Sequence, residues 1–123
     1  MALVVDAGAL YAQADRDDPG HEAVRAILEA ERETLVTTEL AVAEADYLIL
    51  DRLGPDVELA FLDDLGEGTF VVECLDRAQL RRARDVVARH RDLRLGLADA
   101  SLIVLARPRR TPRPRRPRPR SPA

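Results

Sequence analysis

Three of the 22 acids in this 123-residue chain stand out by their surroundings. Asp6 ends Leu3-Val4-Val5, a run whose two β-branched residues read as a buried strand. Glu44 lies in an apolar stretch, with Leu40, Ala41, Tyr47 and Leu48 three and four residues away. Asp99 stands among Leu95, Gly96, Leu102 and Ile103 at helical spacing. An ionised carboxylate in such company is expensive unless an arginine or a metal cation pairs with it. Gathered in one pocket, three carboxylates would raise one another's pKa unless a cation held them. All-oxygen ligation suits Mg²⁺ or Mn²⁺, and the chemistry that follows is phosphodiester hydrolysis by metal-activated water. Asp6 and Asp99 each have a plainer reading as the N-cap of a following helix.

The elements that must position these acids alternate between strand and helix. Leu3-Val4-Val5 turns at Asp6 into the helix formers Ala7 to Ala12, and open α/β sheets place ligands just past the carboxyl ends of their strands. Asp18-Pro19 is a helix start, and the helix after it carries Val24, Ile27 and Leu28 on one side. Thr34-Leu35-Val36-Thr37 is a second strand, and Thr38 is the natural N-cap of a helix from Glu39 to Leu53. That helix has almost no polar face, which predicts burial. Gly54-Pro55 ends it, and a short helix with Val57, Leu59 and Phe61 follows. Thr69 to Glu73 is a third strand, and Asp76 opens an amphipathic helix with Leu80, Ala83, Val87 and His90 in register. Asp99 enters the last apolar helix. His90 reads as a partner of its helix C-terminus. His21 lies near a loop, and the two histidines lack metal-like spacing.

Composition narrows the function classes. The length sets one domain. Two Phe, two Tyr and no Trp leave few rings for stacking on bases, which disfavours an aromatic single-strand platform. The single cysteine, Cys74, cannot make an internal disulfide or a thiolate zinc site, and its apolar context predicts burial. There is no lysine, so chemistry needing a titratable amine is excluded. No apolar run approaches the ~18 residues of a membrane span. The N-terminus lacks a basic region before Asp6, which excludes a signal peptide and leaves a cytoplasmic protein as the expectation. The net charge of −3 conceals a split: residues 1–106 hold every acid, and residues 107–123 hold eight arginines and six prolines. That tail is expected to be disordered and polyproline-II-like.

Residues 3–11 (Leu3-Val4-Val5-Asp6 through Tyr11), 37–48 (Thr37 through Glu44 to Leu48) and 95–102 (Leu95-Gly96-Leu97-Ala98-Asp99 to Leu102) together resemble a PIN domain. They are most similar to VapC-type toxins, the ribonuclease half of bacterial toxin–antitoxin pairs. The likeness runs from residue 2 to about residue 106. It implies an α/β, three-layer fold with a short parallel sheet flanked by helices. It also implies a metal-dependent endoribonuclease that cuts structured RNA such as tRNA or rRNA, forms a homodimer and is silenced by a VapB-type antitoxin. Asp6, Glu44 and Asp99 match the family's first three acids as catalytic, metal-binding residues. The pattern favours Glu44 over the neighbouring Asp46.

The chain departs from that pattern in two places. Gly8 stands where many members carry a hydroxyl residue. The family also continues after the final apolar helix into a strand ending in a fourth acid, whereas here no acid follows Asp99. Residues 1–106 therefore read as a PIN-like domain lacking its last strand, which would have flanked Leu3-Val4-Val5. The Arg/Pro run is what a shifted reading frame in a GC-rich gene would yield. The alternative function is a catalytically impaired remnant that still binds antitoxin or RNA. A receiver domain fits less well without lysine, and a dehalogenase-type phosphatase fits less well with glycine at position 8.

Overall fold

The computed structural model describes residues 2–30 and 34–106. In chain order the elements are β1 (Leu3–Val4), α1 (Ala7–Ala14), α2 (His21–Ala30), β2 (Leu35–Thr38), α3 (Glu39–Leu53), α4 (Pro55–Gly66), β3 (Val71–Glu73), α5 (Arg77–Arg89), a 3₁₀ turn (Arg91–Leu93) and α6 (Leu97–Ala106). The three strands form one parallel sheet in the order β1-β2-β3. Leu3 pairs with Leu35 and Val4 with Val36, and Val36, Thr37 and Thr38 pair with Val71, Val72 and Glu73. Parallel neighbours need long crossovers, and the two helices between successive strands supply them. Among the described residues β1 is an edge strand. The Arg/Pro tail lies outside the described residues.

The main core gathers Val5, Leu10 and Tyr11 with Ala41, Ala45 and Ile49 of α3, Phe61 of α4, Phe70 and Leu102 of α6. A smaller cluster joins Ala83 and Val86 of α5 to Ala100 of α6. Small residues recur where α3 and α6 are buried (Ala41, Ala45, Ala100, Ser101), which lets helix backbones approach closely. α3 begins and ends where expected: Thr38 Oγ1 accepts from Ala41 N at its start, and Gly54, with φ at 90°, stops it in a conformation that favours glycine. Asp76 caps α5 in a capping box, its side chain accepting from Gln79 N while Gln79 Oε1 accepts from Asp76 N.

Four expectations are corrected. α3 is not buried all round: it packs through Ala41, Ala45 and Ile49, and the side carrying Ala43, Tyr47 and Leu50 faces outward, with Tyr47 69% exposed. Ile27 of α2 also projects outward. Cys74 is exposed, because it follows the last residue of a three-residue strand and leaves the sheet before its apolar neighbours are covered. The helix start expected at Asp18-Pro19 falls later, at His21, which does lie beside a loop. His21 opens α2, is buried, and its Nδ1 lies 2.8 Å from the Ala12 carbonyl, tying α2 to α1. Asp18 and Pro19 form the turn before it, with Gly20 N donating to Asp18 Oδ2 and His21 N to the Asp18 carbonyl.

Candidate active site

Parallel strands present their carboxyl ends along one edge, and the acids are distributed around that edge. Val5 N donates to the Val36 carbonyl at 2.8 Å, holding the end of β1 against β2 one residue before Asp6. Asp6 is exposed and caps α1, with Oδ1 accepting from Ala9 N at 2.8 Å. The structure shows the cap: one oxygen is fixed by the helix, and the carboxylate is held facing solvent. The Asp6 backbone carbonyl accepts from Leu10 N. Leu10 is fully buried and anchors the turn from below.

Asp99 is not an N-cap. α6 starts at Leu97, which sets Asp99 inside the first turn, exposed. An acid there favours the helix dipole and leaves the carboxylate outward. Glu44, six residues beyond the Thr38 cap and about 9 Å along the α3 axis, is also exposed. The burial cost expected for it does not arise, because it lies off the packed Ala41–Ala45–Ile49 side. Asp46 is the more enclosed of the two: its Oδ1 is buried without a hydrogen bond among the described residues. The Asp46 carboxylate, as hydrogen-bond partner and neighbouring charge, together with burial, holds the carboxyl of Glu58 on α4 above the usual range.

A hydroxyl relay that sequence reasoning missed joins these elements. Thr38 Oγ1 lies 2.8 Å from Ser101 Oγ, and both residues are fully buried. Ser101 Oγ donates to the Ala98 carbonyl at 2.6 Å, so its only proton is committed. Thr38 must therefore donate to Ser101 while accepting from Ala41 N at 3.1 Å. The direction runs from Ala41 N–H through Thr38 and Ser101 to Ala98 C=O. It fixes the start of α3, which carries Glu44, to the first turn of α6, which carries Asp99. The signal in the sequence was a serine two residues after Asp99 on an otherwise apolar helix. Ser101→Ala is expected to strand the Thr38 proton and cost about 1–3 kcal/mol, read as a lower denaturant midpoint. Adding Thr38→Val should cost less than the two single changes summed, and strict additivity would show that the relay is not coupled.

The edge also holds Glu39, at the start of α3, and Glu73, paired with Thr38. Hydrogen bonding to the Glu39 carboxylate pushes the Cys74 thiol up, helped by partial desolvation of the otherwise exposed side chain and by the charges of Glu39 and Glu73. A raised thiol pKa means less thiolate at a given pH. At pH 8, Cys74 should react with iodoacetamide more slowly than an unstructured cysteine peptide, and Glu39→Gln should speed it. Equal rates for all three would contradict this assignment.

The structure thus brings the elements bearing Asp6, Glu44 and Asp99 to one edge. It does not close the carboxylates into a cage: among the described residues no three acid, histidine or cysteine side chains stand close enough to hold a metal together. Mg²⁺ does not require one, since it keeps several waters and is commonly bound by one or two carboxylates plus substrate phosphates. Exposed, all-oxygen donors suit that mode. A separate cavity of about 460 Å³, lined by His21, Arg25, Leu35, Phe61 and Phe70 among others, includes none of the three acids.

A short parallel sheet between helices, with carboxylates at its carboxyl edge, is the arrangement of a known nuclease class, and the chain belongs to the PIN domain family, whose model matches residues 3–112. Within that family it is a homologue of the VapC-type ribonuclease toxins. It is 37% identical over 104 residues to the ribonuclease VapC26 of Mycobacterium tuberculosis, covering 85% of this chain and 77% of that protein. Its fold matches the crystal structure of M. tuberculosis VapC20, a toxin that cleaves the sarcin-ricin loop, with a TM-score of 0.77, 17% identity, and coverage of 85% of this chain and 80% of that one. No helix among the described residues is long and apolar enough to cross a membrane.

Proposed function

We propose that the chain is an Mg²⁺-dependent endoribonuclease toxin of a toxin–antitoxin pair, hydrolysing phosphodiester bonds of structured RNA. The observation that carries this reading is the gathering of the Asp6, Glu44 and Asp99 elements at the carboxyl edge of the sheet, in a chain homologous to VapC26. Asp6, Asp99 and Glu44 would hold the ion between them, partly through its retained waters rather than as a closed cage, with Mn²⁺ as a substitute. The ion would supply a more acidic bound water and neutralise charge on the phosphate. The chain's own part is positional. The Ala9 N–H fixes one oxygen of Asp6, the hydroxyl relay fixes Asp99 against α3, and the exposure of all three leaves room for a bulky substrate. A VapB-type antitoxin and a second copy of the chain are the expected protein partners, in a cytoplasmic setting.

A second reading is a catalytically impaired remnant that retains antitoxin or RNA binding. It is favoured by the openness of the acid edge, where among the described residues no three acid, histidine or cysteine side chains stand close enough to hold a metal together. Incubation of the purified chain with tRNA and rRNA, with Mg²⁺ and with chelator, separates the two. Cleavage that needs the ion and disappears in Asp6→Asn supports the nuclease. RNA binding with no ion-dependent cleavage leaves the remnant.

A further inference from the structure

Arginine is unevenly spread over the domain. Of the eleven arginines in residues 1–106, seven lie between Arg77 and Arg94, opposed there only by Asp85 and Asp92. The remaining four share the rest of that stretch with 20 acids. An approaching polyanion is repelled by most of such a surface and drawn to one part of it. That part is α5 and the turn after it. Ala83 and Val86 bury one side of α5 against Ala100, so Arg77, Arg81, Arg82, Arg84 and Arg89 are all exposed. Arg77, Arg81 and Arg84 follow the i, i+4, i+7 spacing of a single helix stripe, extending about 10 Å along the axis.

This row is poorly explained as a solvated helix face. Like charges at i, i+3 and i, i+4 destabilise a helix, and a cation at the first position, where Arg77 stands, opposes the helix dipole. Arg84 is paired with Asp85 at 3.2 Å, but both side chains are more than half exposed, and such pairs are easily exchanged for a better anion. Guanidinium forks match phosphate oxygens bidentately, and a chain so short of aromatic rings must hold nucleic acid by its backbone rather than by stacking. Ala83 and Val86 turn toward α6, so the row stands on the outward side of α5, about one helix diameter from the helix that carries Asp99. We infer that the exposed arginine row Arg77–Arg81–Arg84 of α5 is the docking surface for the RNA phosphate backbone. The inference rests on the ribonuclease reading and adds the surface that would hold the substrate's backbone.

The test measures binding of a fluorescent RNA hairpin to the full chain carrying Asp6→Asn, by anisotropy over a series of KCl concentrations. The comparison is with the same chain carrying R77Q, R81Q and R84Q, exposed changes to another good helix former. Three lost phosphate contacts should lower the slope of log affinity against log salt by about 2 and weaken low-salt binding at least about tenfold. The corresponding triple lysine variant should keep the slope, and Arg16→Gln should leave it unchanged. An unaltered slope in the glutamine variant would overturn the inference and leave an acidic protein segment as the partner of the row. A slope lost equally in the lysine variant would overturn it too, as would an equal loss per arginine in Arg16→Gln. Cleavage by the chain with Asp6 intact, run beside these titrations, keeps the two proposals apart: binding that follows the row without cleavage fails the nuclease reading alone, and cleavage with row-independent binding fails this one alone.

Discussion

Asp6→Asn is expected to leave folding stability within about 0.5 kcal/mol while lowering RNA cleavage at saturating Mg²⁺ more than about 100-fold. The two readouts separate because the side chain has two jobs. As N-cap it accepts from Ala9 N, and asparagine caps a helix about as well as aspartate. As ligand it supplies negative charge, which asparagine lacks; even partners one shell further out are commonly worth about 10–100-fold. Asp6→Ala should lose both functions, adding about 1 kcal/mol of destabilisation. Chemical denaturation and single-turnover cleavage on the same preparations check the pair. Wild-type cleavage by the asparagine variant would reduce Asp6 to a cap and remove it from the site.

The second large effect is on stability. Leu10 is fully buried in the main core, and its backbone N–H bonds the Asp6 carbonyl. Leu10→Ala should cost about 2–5 kcal/mol through lost transfer energy and the cavity left behind. Against a total stability of about 5–15 kcal/mol, that is a fall in Tm on the order of 10–20 °C for a domain of this size. The variant should also lose cleavage more steeply on warming, because the turn that carries Asp6 rests on this side chain. A Tm within a few degrees of wild type would show that the core beneath the site closes over the gap.

Much of this arrangement could be read from residue types because the local rules agreed with one another. Thr38 before Glu39, Asp76 before Arg77 and Gly54 after Leu53 are strong punctuation, and α3 and α5 lie where those signals set them. Apolar composition misled where it stood for burial. Tyr47 and Leu50 are apolar yet outward, and Cys74 leaves the sheet exposed, because a three-stranded sheet cannot cover every apolar side of the helices around it. Periodicity gave Glu44 an apolar neighbourhood, but only the packing of α3 decided which of its sides is covered. The Thr38–Ser101 contact lay beyond any local rule. It depends on where α6 lands against β2: a serine on an apolar helix signals a need for a partner but does not say which residue supplies it.

That hydrogen bond spans 63 residues of sequence, with a consequence for how the protein comes into being. Contacts between distant segments form late, after the entropy of closing the intervening loop has been met. The helix bearing Glu44 and the turn bearing Asp6 belong to the first half of the chain and can take shape early. Their registration against Asp99 waits until the last helix has been synthesised and has docked. The acid edge is therefore among the final features to mature: a nascent or truncated chain ending before Asp99 would carry only two of the three acids, and one ending before Ser101 would have nothing to align the third.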